Sequence, residues 1–543
     1  MQSIMSDAPV LTLMALVPAA GSLLLWVVPP LRRQARALGL LVSLGTLGLG
    51  LYALSQFDLA QGGTVQLGEL HSWIPVLGVS WALGVNGLGL AMLLLAAFLV
   101  PLVLLASWGE VPADRQGSFT GLVLLLEAFI VVVFAARDVF LFYVVFEAML
   151  IPVYFLIGRF GGPRRRPAAL KFLLYSLAGG LVMLVGVVAL LVYGPGGEQN
   201  YLVDTLTGSG VMGSPSVQRL IFLSFFIAFA IKAPMVPVHT WLPDTAEQAT
   251  PGTSVLLIGV LDKVGTFGMI TLCLPLFPEA SRWAAPVVLV LAVVSILYGG
   301  LAAIGQDHLY RLISYTSISH FGFMVLGIFV GSQVAATGAM VYMVAHGLSI
   351  AGLYLVTGFL VRRTGTASIK ELGGMARVTP LIAGTFLVSG LASIALPGLS
   401  GFVPEWLVLT GTFSVSVALG VFAVLGVIIA ALYVMLPYQR VFTGAPAAER
   451  VGSSDLDGRE RIVVVPVIAA MLALGLAPAL LVDAVDGVAQ QVGATMSQDE
   501  VATAIGAPEP GDPDGTGPAP RASDQVLASA ASAVPTASEG STK

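Results

Sequence analysis

The apolar residues of the chain gather into fourteen stretches of membrane-spanning length, and the polar residues fall between them. Their approximate limits are 9–29, 37–56, 83–107, 117–136, 138–158, 168–193, 218–240, 252–276, 285–304, 309–330, 334–361, 380–411, 415–438 and 462–483. Each approaches or exceeds the ~20 apolar residues that a helix needs to cross the hydrocarbon layer. The shortest connection is "AARDVF", which leaves room only for a tight turn carrying Arg137 and Asp138. After residue 484 the pattern lapses. The tail, 484–543, is rich in Pro, Gly, Ala and Ser and reads as disordered, with a short amphipathic start near "VDAVDGVAQQV".

Lysine and arginine test this pattern, because they concentrate in cytoplasmic loops. With the N-terminus placed outside, eighteen of the 25 fall on the inner side, five on the outer side, and two, Lys232 and Lys263, inside spans. A wrong register of spans would scramble that asymmetry. The expected protein is therefore multi-pass, in a bacterial plasma membrane, with both termini on the outer face. Residues before the first span carry no basic run, which argues against a cleaved signal peptide.

Composition agrees: 57% of residues are hydrophobic, 10% are charged, and the mean hydropathy is +0.93. One cysteine, Cys273, excludes a disulfide framework and a cysteine-ligated metal or iron–sulfur site. No basic run interleaved with aromatics points to nucleic acid.

Two spans carry helix breakers. The seventh contains "IKAPMVPVHTWLPD" and the twelfth "SIALPGLSGFVPEW". Proline removes a backbone donor, and broken helices at membrane depth survive only where protein or internal water satisfies the freed groups. Each break falls on the fourth member of a set of five spans. Five is odd, so the sets should sit in opposite orientation, as inverted repeats with paired discontinuous helices. The expected fold is an all-α polytopic membrane protein of about fourteen helices. It comprises a three-helix region (1–107), a first repeat (117–276), a second repeat (285–438), a last transmembrane helix (462–483) and the tail.

Ionisable residues inside spans are the candidate chemistry: Glu127, Glu147, Lys232, Asp262, Lys263, His320, His346 and Glu405, with His239 at the end of the broken seventh. Each central charge costs roughly 2.5–3.5 kcal/mol on insertion scales. A structural reading, in which Glu–Lys pairs lock helices, stands beside the functional one, in which these groups hand protons along. Small residues already join membrane helices, so the whole set is an expensive glue. Glu127 and Asp262 read as local partners rather than carriers.

The stretch "AIKAPMVPVHTWLPDTAEQATPGTSVLLIGVLDKVGTFGM" is similar to the signature region of the proton-translocating antiporter-like subunits of respiratory complex I. "FYVVFEAMLIPVYFLIG", "RLISYTSISHFGF", "AHGLSIAGLYL" and "LPGLSGFVPEW" resemble the same family, and together they cover about residues 80 to 440. Glu405 resembles the M-type branch, where the L and N types are expected to carry lysine. The chain also lacks the long lateral helix of the L type. The resemblance assigns Glu147, Lys232, Lys263 and Glu405 to the fifth-, seventh-, eighth- and twelfth-helix carriers, and His239, His320 and His346 to polar positions on the central axis. It implies a subunit of a proton-translocating NADH:quinone oxidoreductase that does no redox chemistry itself and holds no cofactor or metal. NAD, FMN, iron–sulfur clusters and quinone are expected in partner subunits. The expected partners are the lipid bilayer and other membrane-arm subunits, especially the L and N types. The long tail departs from the family. The alternatives are a multisubunit cation/proton antiporter, a membrane-bound hydrogenase complex, or a scaffold whose charges only lock helices.

Overall fold

The computed structural model of the protein describes residues 8–446 and 448–507. Among these, twelve helices are long and apolar enough to cross a membrane. The pair Gly458–Leu476 and Ala479–Met496, bent by 67°, makes a thirteenth. The expected stretch 380–411 is instead two short helices, Pro380–Ser393 and Phe402–Phe413. The bend near residue 477 follows from Pro478, which has no N–H to continue the ladder.

Helices sort by what surrounds them. The most apolar stretches of Pro251–Leu276, Leu309–Phe329 and Gln333–Thr364 are 94%, 94% and 89% buried, so these helices form the axis. Arg165–Tyr193 and Val417–Phe442 turn Leu174, Leu181, Val188, Val421 and Ile428 outward, as lipid-facing helices do.

One face of the bundle carries a β-hairpin that the apolar pattern does not reveal: Gln66–Ile74 pairs antiparallel with Val79–Val85. Two buried carboxylates hold it. Glu69 accepts from the backbone N–H of Leu11 at 2.8 Å, capping the first helix. Asp138 accepts from Ser80 N at 2.9 Å and from Phe140 and Leu141 N at 2.9 and 3.0 Å, joining the hairpin to the fifth span.

The amphipathic start expected near "VDAVDGVAQQV" lies in the helix Ala479–Met496, and the expectation of disorder is corrected beyond it, where that helix runs on to Met496 and a second, Gln498–Ala504, follows. Val485, Val488, Ala489, Val492 and Met496 recur at helical spacing and are buried. The helix lies across the hairpin face, where Ala484 and Gly487 press on Gly62 and Gly63 so closely that a Cβ would collide. The rest of the tail, residues 508–543, lies outside the described residues.

The two stretches expected as repeats share a detail at their bases. Val139 N donates to Tyr201 O (2.8 Å) and Val203 N to Arg137 O (2.9 Å) on the hairpin face. Leu309 N donates to Ala367 O (3.0 Å) and Ile369 N to Asp307 O (2.8 Å) on the opposite, arginine-rich face. An ion pair flanks each bridge, with its signs exchanged: Arg137 with Asp204, and Asp307 with Lys370.

Candidate functional site

Three local distortions place the buried charges. In the seventh span, Pro215–Lys232 stops at "KAP", and Met235 N closes back onto Ala230 O at 3.0 Å. That wider turn leaves Ile231 O to accept from the Trp241 indole at 3.0 Å. In the twelfth, Leu396 N closes the same way onto Leu391 O at 3.0 Å, with Ala395 and Gly398 at positive φ. The third distortion was not anticipated. The eighth span contains two π-turns, Leu257–Leu261 and Met269–Cys273, which flank Lys263–Gly268. Asp262 N bonds to Leu257 O at 2.9 Å instead of Ile258 O. Ile258 O therefore meets Lys263 Nζ at 3.0 Å. Such turns concentrate at functional sites.

The candidate residues then lie along the middle of the bundle. Glu147 sits in the fifth span, in a notch at Gly180, where an added Cβ would lie 1.6 Å from its Oε1. Lys232 is 1% exposed and its Nζ has no hydrogen-bond partner among the described residues. It lies over the Phe172 and Phe146 rings at 5.3 and 5.8 Å, and the charges acting on it are Asp262 and Glu147. Asp262 interacts with both lysines, and neither of its oxygens has a hydrogen-bond partner among the described residues. Lys263 Nζ lies 3.0 Å from His346 Nδ1. The His346 and His320 rings meet edge to face at 5.1 Å. His320 Nε2 lies 2.9 Å from the Tyr433 hydroxyl, and its ring packs on Tyr342 at 5.7 Å. Tyr342 donates to Glu405 Oε2 at 2.8 Å.

Contacts thus join Lys263, His346, His320 and, through Tyr342, Glu405, while Glu147 and Lys232 are electrostatic neighbours of each other and Lys232 of Asp262. His239 is not joined to them. Its ring packs on Tyr298 at 5.0 Å, and neither ring nitrogen has a hydrogen-bond partner among the described residues. Glu127 stands apart too, fully buried with both oxygens unpartnered among the described residues. Asp262, expected as a local partner or orienting group, is an electrostatic neighbour of both lysines. Tyr342 and Tyr433 were missed because a search for charges passes over tyrosine. The available signal was that Tyr342 precedes His346 by four residues, which puts both on one helix face.

Below the first break, on the arginine-rich face, the short helix Trp241–Gln248 is held by ion pairs. Asp244 accepts from Lys171 at 2.6 Å and Arg311 at 2.7 Å, and Glu247 from Arg311 at 3.0 Å and from Arg164. Burial pushes the Asp244 carboxyl up, but the hydrogen bonds from Lys171 and Arg311 outweigh it and hold it below the usual range. Among the described residues, no three His, Cys, Asp or Glu are placed to hold a metal ion.

Comparison with known proteins shows the family and the fold. The family model described as NADH:quinone oxidoreductase/Mrp antiporter, TM, matches residues 136–430. The protein named NADH-quinone oxidoreductase subunit M of Mycobacterium tuberculosis H37Rv is 42% identical, over 93% of this chain and 98% of its own length. That of Rhodobacter capsulatus is 36% identical, over 87% and 94%. A chain in respiratory complex I from Thermus thermophilus with bound NADH superposes with a TM-score of 0.80 at 33% identity, covering 91% of this chain and 99% of that one. The Mrp complex from Dietzia shares the fold, with a TM-score of 0.79 at 21% identity. The chain belongs to the NADH:quinone oxidoreductase/Mrp antiporter membrane family, and within it to the branch of relatives named NADH-quinone oxidoreductase subunit M.

Proposed function

We propose that the chain is a proton-translocating membrane-arm subunit of an NADH:quinone oxidoreductase. The observation that carries this reading is the series of ionisable and hydroxyl groups from the half-buried Glu147 to the buried Lys232, Asp262, Lys263, His346, His320 and Glu405, set among apolar helices. A buried lysine loses its charge readily unless a carboxylate stays close. A carboxylate at about 6 Å, with an effective dielectric near 20, is worth roughly 2.8 kcal/mol, or about two pKa units. Moving or protonating Glu147 or Asp262 would therefore switch Lys232 between holding and releasing a proton. Lys263 passes the proton through His346 and His320, the two tyrosines bridge the gap, and Glu405 ends the row. Quinone reduction, and the cofactors it needs, belong to partner subunits, and the L and N types are the expected neighbours. The hairpin face is the outer one, because the basic loops lie on the other.

Glu147→Ala or Lys232→Ala in the purified complex, reconstituted into vesicles, tests the reading. The complex should assemble and lose pumping. Normal pumping by assembled Lys232→Ala would overturn it.

A further inference from the structure

The sixth span, Arg165–Tyr193, turns one face to lipid and packs the other against the fifth and seventh spans. Ser176 is the one polar side chain on the buried face. It is 3% exposed, and its Oγ has no hydrogen-bond partner among the described residues. A serine inside a helix commonly turns its hydroxyl back onto a carbonyl three or four residues earlier. Ser224 and Ser317 do so here, on Ile221 O at 2.6 Å and Ile313 O at 3.1 Å. Ser176 makes no such bond, although a buried hydroxyl left without a partner costs stability.

The residues one turn to either side show what the hydroxyl is placed for. Phe172 has its ring 5.3 Å from Lys232 Nζ. Gly180 is the notch that seats the Glu147 carboxylate. Residues four apart stack on one helix face, roughly 6 Å per step along the axis. Ser176 therefore occupies the middle of a stripe whose ends face Lys232 and Glu147. Gly179 sets how close the stripe comes to the seventh span. An added Cβ there would meet Ile231 Cδ1 at 3.1 Å and Ala228 Cα at 3.3 Å, in the turn that ends at Lys232. Glu147 Oε1 and Lys232 Nζ, like Ser176 Oγ, have no hydrogen-bond partner among the described residues. Three unpartnered polar atoms thus gather along one stretch of the sixth span. The eleventh span is the third of its expected five, as the sixth is of the first five. It carries Tyr342 and His346 at the same four-residue spacing, in contact with Glu405 and Lys263.

We infer that the Ser176 hydroxyl is the relay between Glu147 and Lys232. The inference rests on the proton-path reading above. Both end groups are long side chains, so rotation of either, or one bridging water, brings them within hydrogen-bond reach of Oγ. The O–H bond of a protonated Glu147 then breaks, and its proton passes to Ser176 Oγ. The hydroxyl's own O–H bond breaks in the same step, and that proton forms a new N–H bond on the Lys232 amine. Glu147 is left as a carboxylate, Lys232 as an ammonium, and the serine is unchanged.

The test compares two substitutions of one shape in the assembled complex, reconstituted into vesicles. Ser176→Thr keeps the hydroxyl, and Ser176→Val puts a methyl group in its place. Ser176→Val loses a hydrogen bond to a charged group, so its pumping rate should fall about tenfold or more. Ser176→Thr should restore most of that loss. A merely structural role predicts that the two behave alike, since any crowding by the added methyl falls on both. Equal pumping by the two assembled variants overturns the relay. If either does not assemble, Ser176→Ala decides: pumping at the wild-type rate overturns the relay, and a loss as large as that expected for Ser176→Val supports it. Lys232→Ala separates the two levels. Normal pumping there sinks the path itself, whereas lost pumping there with normal pumping in Ser176→Ala sinks only the relay.

Discussion

The two broken spans use one backbone device and load it differently. A single fixed spacing sets Ala230 on Leu391, Lys232 on Ser393, Pro243 on Pro404 and Asp244 on Glu405. Both breaks close with the same wide turn, Met235 onto Ala230 and Leu396 onto Leu391. In the first, the charge before the break is Lys232, buried and with no hydrogen-bond partner among the described residues, and the acid after it, Asp244, is fastened by Lys171 and Arg311. In the second, the position before the break is the neutral Ser393, beside His320 and Tyr433. The acid after it, Glu405, meets one neutral donor, Tyr342. A carboxylate pinned by two cations holds a helix in place. One that meets only a hydroxyl remains available to take up a proton. On the proposed proton path, this difference puts the working charge before the break in the first span and after it in the second.

The largest expected effect tests that exchange directly. A positioned proton-transfer group contributes on the order of 100-fold or more, so Lys232→Ala should drop pumping through this subunit to background while the complex still assembles. Ser393→Ala, at the matching position, should leave most of it. Equal losses, measured as proton uptake per quinol formed, would break the comparison.

Glu405 comes next. Glu405→Gln keeps the length and the hydrogen bond from Tyr342 but cannot release a proton, so pumping should stop. Glu405→Asp keeps the proton and shortens the reach, and should be milder. A helix lock predicts the reverse order. The readout is initial pumping rate in vesicles, normalised to assembled complex.

Much of this was legible in the residues, for physical reasons. Charges are rare in membrane spans, so Glu147, Lys232, Lys263 and Glu405 stood out at once, and proline and glycine marked both breaks. The π-turns left no mark, because "LLIGVLDKVGTFGMITLC" reads as an ordinary apolar helix and the bonding choice at Asp262 N depends on its neighbours. The hairpin was hidden because Trp81, Leu83 and Val85 merge into the apolar run of the third span. The tail helix was judged by the composition of the whole tail, which outweighed the short apolar stripe at its start. The order Lys263, His346, His320 could not be read from spacing either, since it depends on how three helices pack.

A smaller effect is expected where no charge is involved. Tyr342→Phe removes the hydroxyl that joins the His320 side of the row to Glu405. A hydrogen bond to a charged group is worth roughly 1.5–3 kcal/mol, so transfer should slow by about tenfold or more. Tyr433→Phe should do less, because Tyr433 contacts His320 but has no hydrogen bond to Glu405. If Tyr342→Phe pumps at the wild-type rate while Glu405→Gln fails, the proton reaches Glu405 by another route.

The smallest effect sharpens the comparison most, because it concerns the partner position of Glu405. Asp244 is partly exposed and its ion pairs lie near the surface, where such pairs are worth little. Asp244→Asn should therefore keep pumping within about twofold of wild type. Its folded carboxyl is held below the ordinary range by Lys171 and Arg311, despite the burial that opposes them. The stability it adds is then present above the unfolded value, near 3.9, and lost as pH falls through the lower folded one. Thermal unfolding of the purified complex should show any gap between wild type and Asp244→Asn in full at pH 7, and the gap should close as the pH falls below about 4. Pumping that stops in Asp244→Asn as completely as in Glu405→Gln would mean that both acids carry protons, and the exchange of charge across the two breaks would be wrong.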